Sequence, residues 1–160
     1  SNQSVRETKG TDIQLEWSLP IGPGQFTINE LYSILDSFQI NGAEFAGTTS
    51  AAIGGALPDY KSVLSLTYTA GDWTLFTRWS YVPEITSASF GHTTAPAASY
   101  IDASVRWNLT DNFTLTGVIN NVTDDQAPQT ADGFFSQANT DPQVYNVLGR
   151  TWGLSVKTKM

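Results

Sequence analysis

The sequence predicts an all-β fold of about seven antiparallel strands linked up and down, and three observations predict it. Apolar and polar residues alternate with period two in one stretch after another, which puts each set on its own side of an extended strand. Gly, Pro, Asn and Asp gather between those stretches, where turns need them. The connections alternate between tight turns and long irregular loops, as successive hairpins require.

From Gly10 to Leu19, Ile13, Leu15, Trp17 and Leu19 oppose Asp12, Gln14, Glu16 and Ser18, giving the first strand. Pro20-Ile21-Gly22-Pro23-Gly24 then reverses the chain, because prolines lack a donor and glycines favour turn conformations. Phe26, Ile28, Tyr32 and Ile34 mark the second strand. Leu31 and Leu35 fall out of phase, which leaves a bulge or a short helix open there. Residues 36–59 lose their period and read as a loop. Tyr60–Ala70 is the third strand, Gly71-Asp72 turns it, and Trp73–Tyr81 is the fourth. A second irregular stretch, 83–99, leads to the most regular part of the chain. There Ile101, Ala103, Val105, Trp107 and Leu109 oppose Tyr100, Asp102, Ser104, Arg106 and Asn108. After Thr110-Asp111-Asn112 the alternation resumes with Phe113, Leu115, Gly117 and Ile119, completing a hairpin. A third loop, 121–143, precedes a last strand from Val144 to Met160, with Trp152, Leu154 and Val156 opposite Gly153, Ser155 and Lys157.

Period two does not say which face is wet. The apolar face is the core of a soluble sandwich or the lipid-facing side of a membrane barrel. The connections decide. Short turns (20–24, 71–72, 110–112) all fall at one end and long loops (36–59, 83–99, 121–143) at the other, the asymmetry of outer-membrane barrels with periplasmic turns and extracellular loops. Trp17, Phe26, Tyr68, Trp73, Trp107 and Phe113 lie close to the short-turn end on the apolar faces, giving one half of a membrane aromatic girdle. On the fourth strand Trp73 and Tyr81 are eight residues apart, roughly 26 Å of strand, a span that suits a bilayer.

Composition agrees. Charged residues make up 14% of the chain against about 25% in soluble domains, as expected where much of the surface lies out of water. The net charge of -7, from 8 basic and 15 acidic residues, argues against a nucleic-acid surface. Without cysteine there is no disulfide, thiolate nucleophile or cysteine zinc site. No run approaches the roughly 18 to 20 apolar residues of a spanning helix, and SNQSVRETKG has no signal-peptide pattern.

Several stretches resemble the C-terminal barrel region of TonB-dependent outer-membrane receptors: RETKGTDIQLE at 6–16, WTLFTRWSYV at 73–82, NLTDNFTLTGVINNVTDDQAP at 108–128 and YNVLGRTWGLSVKTKM at 145–160. The most specific are Asn120-Asn121-Val122-Thr123-Asp124 and Leu148-Gly149-Arg150-Thr151. The resemblance implies that the strands form the C-terminal part of a large transmembrane β-barrel, 22-stranded in the family and plugged by an N-terminal domain. It implies a receptor for active uptake of a siderophore, cobalamin, saccharide or similar small nutrient in the bacterial outer membrane. Its partners are then the lipid bilayer, a companion N-terminal part carrying plug and remaining strands, and, through that part, TonB and its TonB box. Residues 1–9 read as an extracellular loop remnant and 10–160 as the barrel segment, with a break before Ser1. Seven strands alone would leave two unpaired edges in lipid. The ending Lys157-Thr158-Lys159-Met160 departs from the terminal aromatic usual in the family.

The charges expected to point into the lumen are Glu16, Arg78, Asp102, Arg106 and Lys157, to hold the plug or line the path. Phe134, Phe135 and Tyr145 are candidates for touching an arriving ligand from the loops. Packing within the loops is their plainer role, as solvation is for the charges. No catalytic residue, metal site or cofactor is expected. His92 is the sole histidine, and Asp124, Asp125 and Asp132 lack EF-hand spacing. Two alternatives remain: a complete small barrel serving as adhesin or anchor, and a soluble carbohydrate-active sandwich using a carboxylate pair such as Glu30 and Glu84.

Overall fold

Alternation carries straight into structure in the computed structural model, which describes residues 4–50, 52–87, 94–129 and 140–159. In chain order the strands are β1 (Arg6–Ile21), β2 (Gly24–Ile40), β3 (Ala43–Glu44), β4 (Thr48–Ser50), β5 (Gly55–Leu57), β6 (Tyr60–Ala70), β7 (Trp73–Val82), β8 (Ile85–Ser87), β9 (Thr94–Ala95), β10 (Ala98–Thr110), β11 (Phe113–Asn120) and β12 (Thr151–Thr158). One antiparallel sheet runs β1-β2-β6-β7-β10-β11-β12, with β3 paired to the far end of β2. The four short strands β5-β4-β8-β9 build a second, small sheet from the long connections. Among the described residues no strand pairs with the outer edge of β1 or of β12.

Several boundaries differ from the sequence expectation, and physical reasons account for the main ones. Pro20 and Ile21 remain in β1 and Gly24 already belongs to β2, so the turn is only Gly22-Pro23. Gly22 supplies the positive φ (56°) that a two-residue hairpin loop needs. Since Ile21 and Gly24 close that loop as a hydrogen-bonded pair, the alternation of pair types turns the nitrogen of Pro20 away from β2, so the β1–β2 ladder loses no donor. The out-of-phase leucines are in a strand and no helix: Leu31 and Leu35 stay in register with Gln14 and Gly10 on the polar face, and a bulge follows them, where Lys9 faces Ser37 but Gly10 faces Leu35, leaving Asp36 as the extra residue. β2 therefore continues to Ile40, and β1 reaches back to Arg6 through residues read as loop. At the other end, the closing strand starts at Thr151, because Gly149 takes a φ of +67° and breaks extended structure.

Buried side chains concentrate at the long-loop end. Val82, Ile85, Ala95, Ala98, Tyr100 and Tyr145 form one cluster there, with Ala56, Ala127 and Val144 packed against it. That cluster seats the small sheet over the ends of β7 and β10. Glu44 organises the β2–β3 turn: one carboxylate oxygen accepts the backbone N–H groups of Phe38, Phe45 and Ala46 at 2.7, 3.0 and 2.9 Å, and the other accepts from Ser37 and Gln39.

Two predictions follow from these contacts. The Ser37 hydroxyl first, then the Ala46 and Phe38 amides, lower the Glu44 pKa from 4.5 to about 2. A depressed carboxyl stabilises the turn above its unfolded pKa and loses that contribution as pH falls through about 2. Carboxyl titration followed by NMR should give a Glu44 midpoint near 2, and a midpoint near 4.5 would contradict the geometry. A Cβ on Gly24 would run into the Thr69 carbonyl and lie 2.9 Å from the Tyr68 ring. Gly24→Val should therefore cost about 1–3 kcal/mol in urea unfolding by overpacking the β2–β6 contact.

Candidate functional site

Because paired residues in a ladder point to the same side, the register sorts every side chain of the sheet onto one of two faces. Ile13, Leu15, Trp17 and Leu19 of β1 face Tyr32, Glu30, Ile28 and Phe26 of β2. The same face continues through Leu64, Leu66 and Tyr68, then Trp79, Leu75 and Trp73, then Ile101, Val105 and Trp107, and on to Leu115, Ile119, Val156, Leu154 and Trp152. Nothing among the described residues covers it. Trp17 is 63% exposed, Trp73 45%, Trp107 36% and Trp152 82%. In a soluble sandwich these tryptophans would fill the core, so the sandwich reading fails here.

The six residues expected in the girdle, Trp17, Phe26, Tyr68, Trp73, Trp107 and Phe113, all lie on this face toward the short-turn end. Trp73 stacks on Trp107 across β7 and β10, centroids 4.8 Å apart and planes 9° apart. The Tyr68 hydroxyl donates to the Ile21 carbonyl at 3.0 Å. A second aromatic group, unrecognised in the sequence apart from Tyr81, sits at the other end of the same face. Tyr32 meets Tyr60 at 5.6 Å, Tyr60 meets Tyr81 at 6.0 Å, and Tyr81 meets Trp79 at 5.7 Å. Its signal was available: Tyr60 and Tyr68 repeat along β6 the eight-residue spacing of Trp73 and Tyr81 along β7.

The opposite face is polar, and it carries all five charges singled out from the sequence. Glu16, Asn29, Ser65, Arg78 and Asp102 form one continuous row across β1, β2, β6, β7 and β10. Arg106 lies beside Thr74 and Thr116, and Lys157 beside Thr114. Leu31, Val63, Phe76 and Val118 interrupt this face with apolar side chains. Within the row, Asn29 donates to Glu16 at 3.3 Å. The Arg78 guanidinium reaches one Asp102 oxygen from Nε at 3.0 Å and from Nη2 at 2.5 Å. The other Asp102 oxygen accepts the backbone N–H of Asn121 at 2.9 Å.

That last bond opens a junction joining the two motifs of the resemblance. Asn121, fully buried, takes a φ of 53° and closes the loop on itself: its side-chain oxygen accepts the Asp125 N–H at 3.0 Å, and its amide donates to the Asp125 carbonyl at 2.9 Å. Asp124 reaches across to the start of β12, where one oxygen accepts the Arg150 N–H at 2.9 Å and the other stands 3.9 Å from its guanidinium. The Asp125 carboxylate accepts from Thr123 at 2.7 Å.

Of the loop candidates, Tyr145 is buried in the loop-end cluster at 4% exposure, and Phe134 and Phe135 lie outside the described residues, as do Asp132 and His92. Burial first, then the neighbouring Tyr100 and Asp141, pushes the Tyr145 phenol up to about 12. Asp141, to which the sequence alone assigned no role, accepts the backbone N–H groups of Ala56 at 2.7 Å and Gln143 at 2.8 Å and so ties the third long connection to the first. Glu30 lies on the apolar face and accepts from Ser62 at 2.6 Å, whereas Glu84 sits exposed between β7 and β8, with no hydrogen bond joining the two among the described residues. No cluster of three or more metal-ligating side chains occurs among the described residues. Asp102→Ala would strip the buried Asn121 N–H of its acceptor, at a cost of about 1–3 kcal/mol in urea unfolding. Asp102→Asn keeps an acceptor and should cost less.

The TonB dependent receptor-like, beta-barrel family model matches residues 1–122. A search of curated proteins gave no match. Among solved structures, the siderophore receptor PiuA from Acinetobacter baumannii is similar at a TM-score of 0.63 and 18% identity, over 96% of this chain and 22% of that one. A variant of the ferric enterobactin receptor PfeA from Pseudomonas aeruginosa follows at 0.61 and 14%, over 94% and 22%. The copper transporter OprC gives 0.60 and 15%, over 96% and 23%. The chain thus spans less than a quarter of the length of these neighbours, whose likeness bears on the fold alone. With the family match covering most of the sequence, the chain belongs to the TonB-dependent receptor-like β-barrel family of the bacterial outer membrane.

Proposed function

We propose that the chain is a C-terminal barrel segment of a receptor that actively takes up a small nutrient such as a siderophore, cobalamin or a saccharide. The observation that carries this reading is the two-faced sheet with two free edges. Its apolar face, bounded at both ends by aromatic groups, suits contact with acyl chains. Its polar face, with the row from Glu16 to Asp102, suits a lumen filled by a plug. The unpaired edges of β1 and β12 call for further strands, because peptide groups left open in hydrocarbon cost several kcal/mol each, on the order of any lone polar group there.

In this reading the turns at 22–23, 71–72 and 111–112 face the periplasm, and the long connections with their small sheet face outward. The N-terminal part supplies plug and remaining strands, and contacts TonB. The segment performs no catalysis. It contributes wall, lumen charges and outer loops, and ligand choice rests on those loops together with the plug.

Particle mass tests the assembly directly. Extracted from outer membranes in mild detergent, the chain should run in light scattering with a protein mass several times its own 17.4 kDa. A protein mass equal to the chain alone would favour the small-barrel alternative.

A further inference from the structure

Glu30 breaks the pattern of its own face. Its rung across β1, β2, β6, β7 and β10 reads Leu15, Glu30, Leu64, Trp79 and Ile101, one carboxylate among apolar side chains. A charge that faces hydrocarbon is costly unless it finds a partner. Among the described residues Glu30 makes no ion pair, whereas Asp102 and Asp124 both do. Its carboxylate accepts from the Ser62 hydroxyl at 2.6 Å, and its remaining lone pairs can take further donors.

The Ser62 bond also sets the direction of the side chain. Ser62 belongs to the next rung toward the long loops, between Tyr32 and Tyr81, so the carboxylate leans across the roughly 7 Å that separates two rungs. It thereby approaches the level of the second aromatic group, where such rings meet lipid headgroups. Tyr60 packs against both tyrosines there, at 5.6 and 6.0 Å. On the β1 side stands Leu15, itself 63% exposed, which leaves the approach open.

A carboxylate beside aromatic rings selects for an organic cation. An ammonium group gains from the charge and from the π-faces together. A hard metal ion needs more oxygen ligands than one Glu supplies, and no metal-ligating cluster occurs among the described residues. A second copy of the chain is a poor source of the cation. Lys61, Arg78, Arg106 and Lys157 belong to the polar face, so apolar faces packed together bring none of them to Glu30.

We propose that Glu30, with Ser62, Tyr32 and Tyr81 around it, binds the ammonium group of a lipid headgroup. The inference rests on the reading of the apolar face as the one in contact with lipid.

Native mass spectrometry tests it on the whole protein, extracted from outer membranes in mild detergent and washed free of lipid. Titrated with phospholipids of identical acyl chains, the protein should retain an ethanolamine- or choline-headgroup lipid at about tenfold lower concentration than a glycerol-headgroup lipid. Glu30→Gln, which keeps the side-chain shape and an acceptor for Ser62, should abolish that preference, and Tyr32→Leu should weaken it. Heat-modifiable mobility on gels monitors barrel folding in each variant. Equal retention of the glycerol headgroup, an undiminished preference in Glu30→Gln, or co-purification of a basic polypeptide that Glu30→Gln releases would overturn the proposal. If the protein needs detergent for extraction and shows no preference, the headgroup site falls while the lipid-facing reading stands. If a carbonate wash without detergent frees it from the membrane, that reading itself falls.

Discussion

A strand in hydrocarbon must satisfy the peptide groups on both of its edges, because no water is there to do so. In this chain that constraint acts through register. Every interior strand of the main sheet is paired on both sides along most of its length, and the pairing aligns one apolar and one polar face across seven strands. A one-residue slip anywhere would put lysine and arginine among the tryptophans. The Lys9/Gly10 bulge shows how an extra residue is absorbed: Asp36 is looped out beyond the Tyr32–Tyr60 pair, leaving the alternation between the two aromatic groups undisturbed.

The polar side holds the strands together by different means. Arg78 and Asp102 form an ion pair whose second carboxylate oxygen is spent on Asn121, so the sheet and the third long connection share one residue. From Asn121 the chain of contacts continues through Asp124 to Arg150, fixing where β12 can start. The loop-end cluster around Ile85 and Tyr145 then anchors the small sheet. Structure at that end thus depends on polar groups that bridge distant segments.

How much of this was legible follows from the range of the interactions. β6 and β7 could be bounded almost to the residue because an unbroken period ends at Gly71-Asp72, a purely local signal. The polar-face positions of Glu16, Arg78, Asp102, Arg106 and Lys157 were legible for the same reason. Pro20 misled because its tolerance depends on the β1–β2 register, which turns its nitrogen away from β2. Residues 144–150 read as strand because the tether from Asp124 is long-range and leaves no mark on local pattern. Strands of two or three residues, such as β4 and β9, are too short to carry a period at all. The two motifs at 120–124 and 148–151 stood out separately, but only the fold brings them into contact.

The central claim is that the tryptophan-bearing face meets lipid and the arginine-bearing face does not. With no native cysteine in residues 1–160, single cysteines placed along β10 can carry a fluorophore at alternating positions in the protein reconstituted in vesicles. Brominated acyl chains should quench labels at Ala103→Cys and Val105→Cys strongly, and labels at Asp102→Cys and Ser104→Cys weakly. Uniform quenching along the strand, or quenching in the opposite phase, would contradict the account.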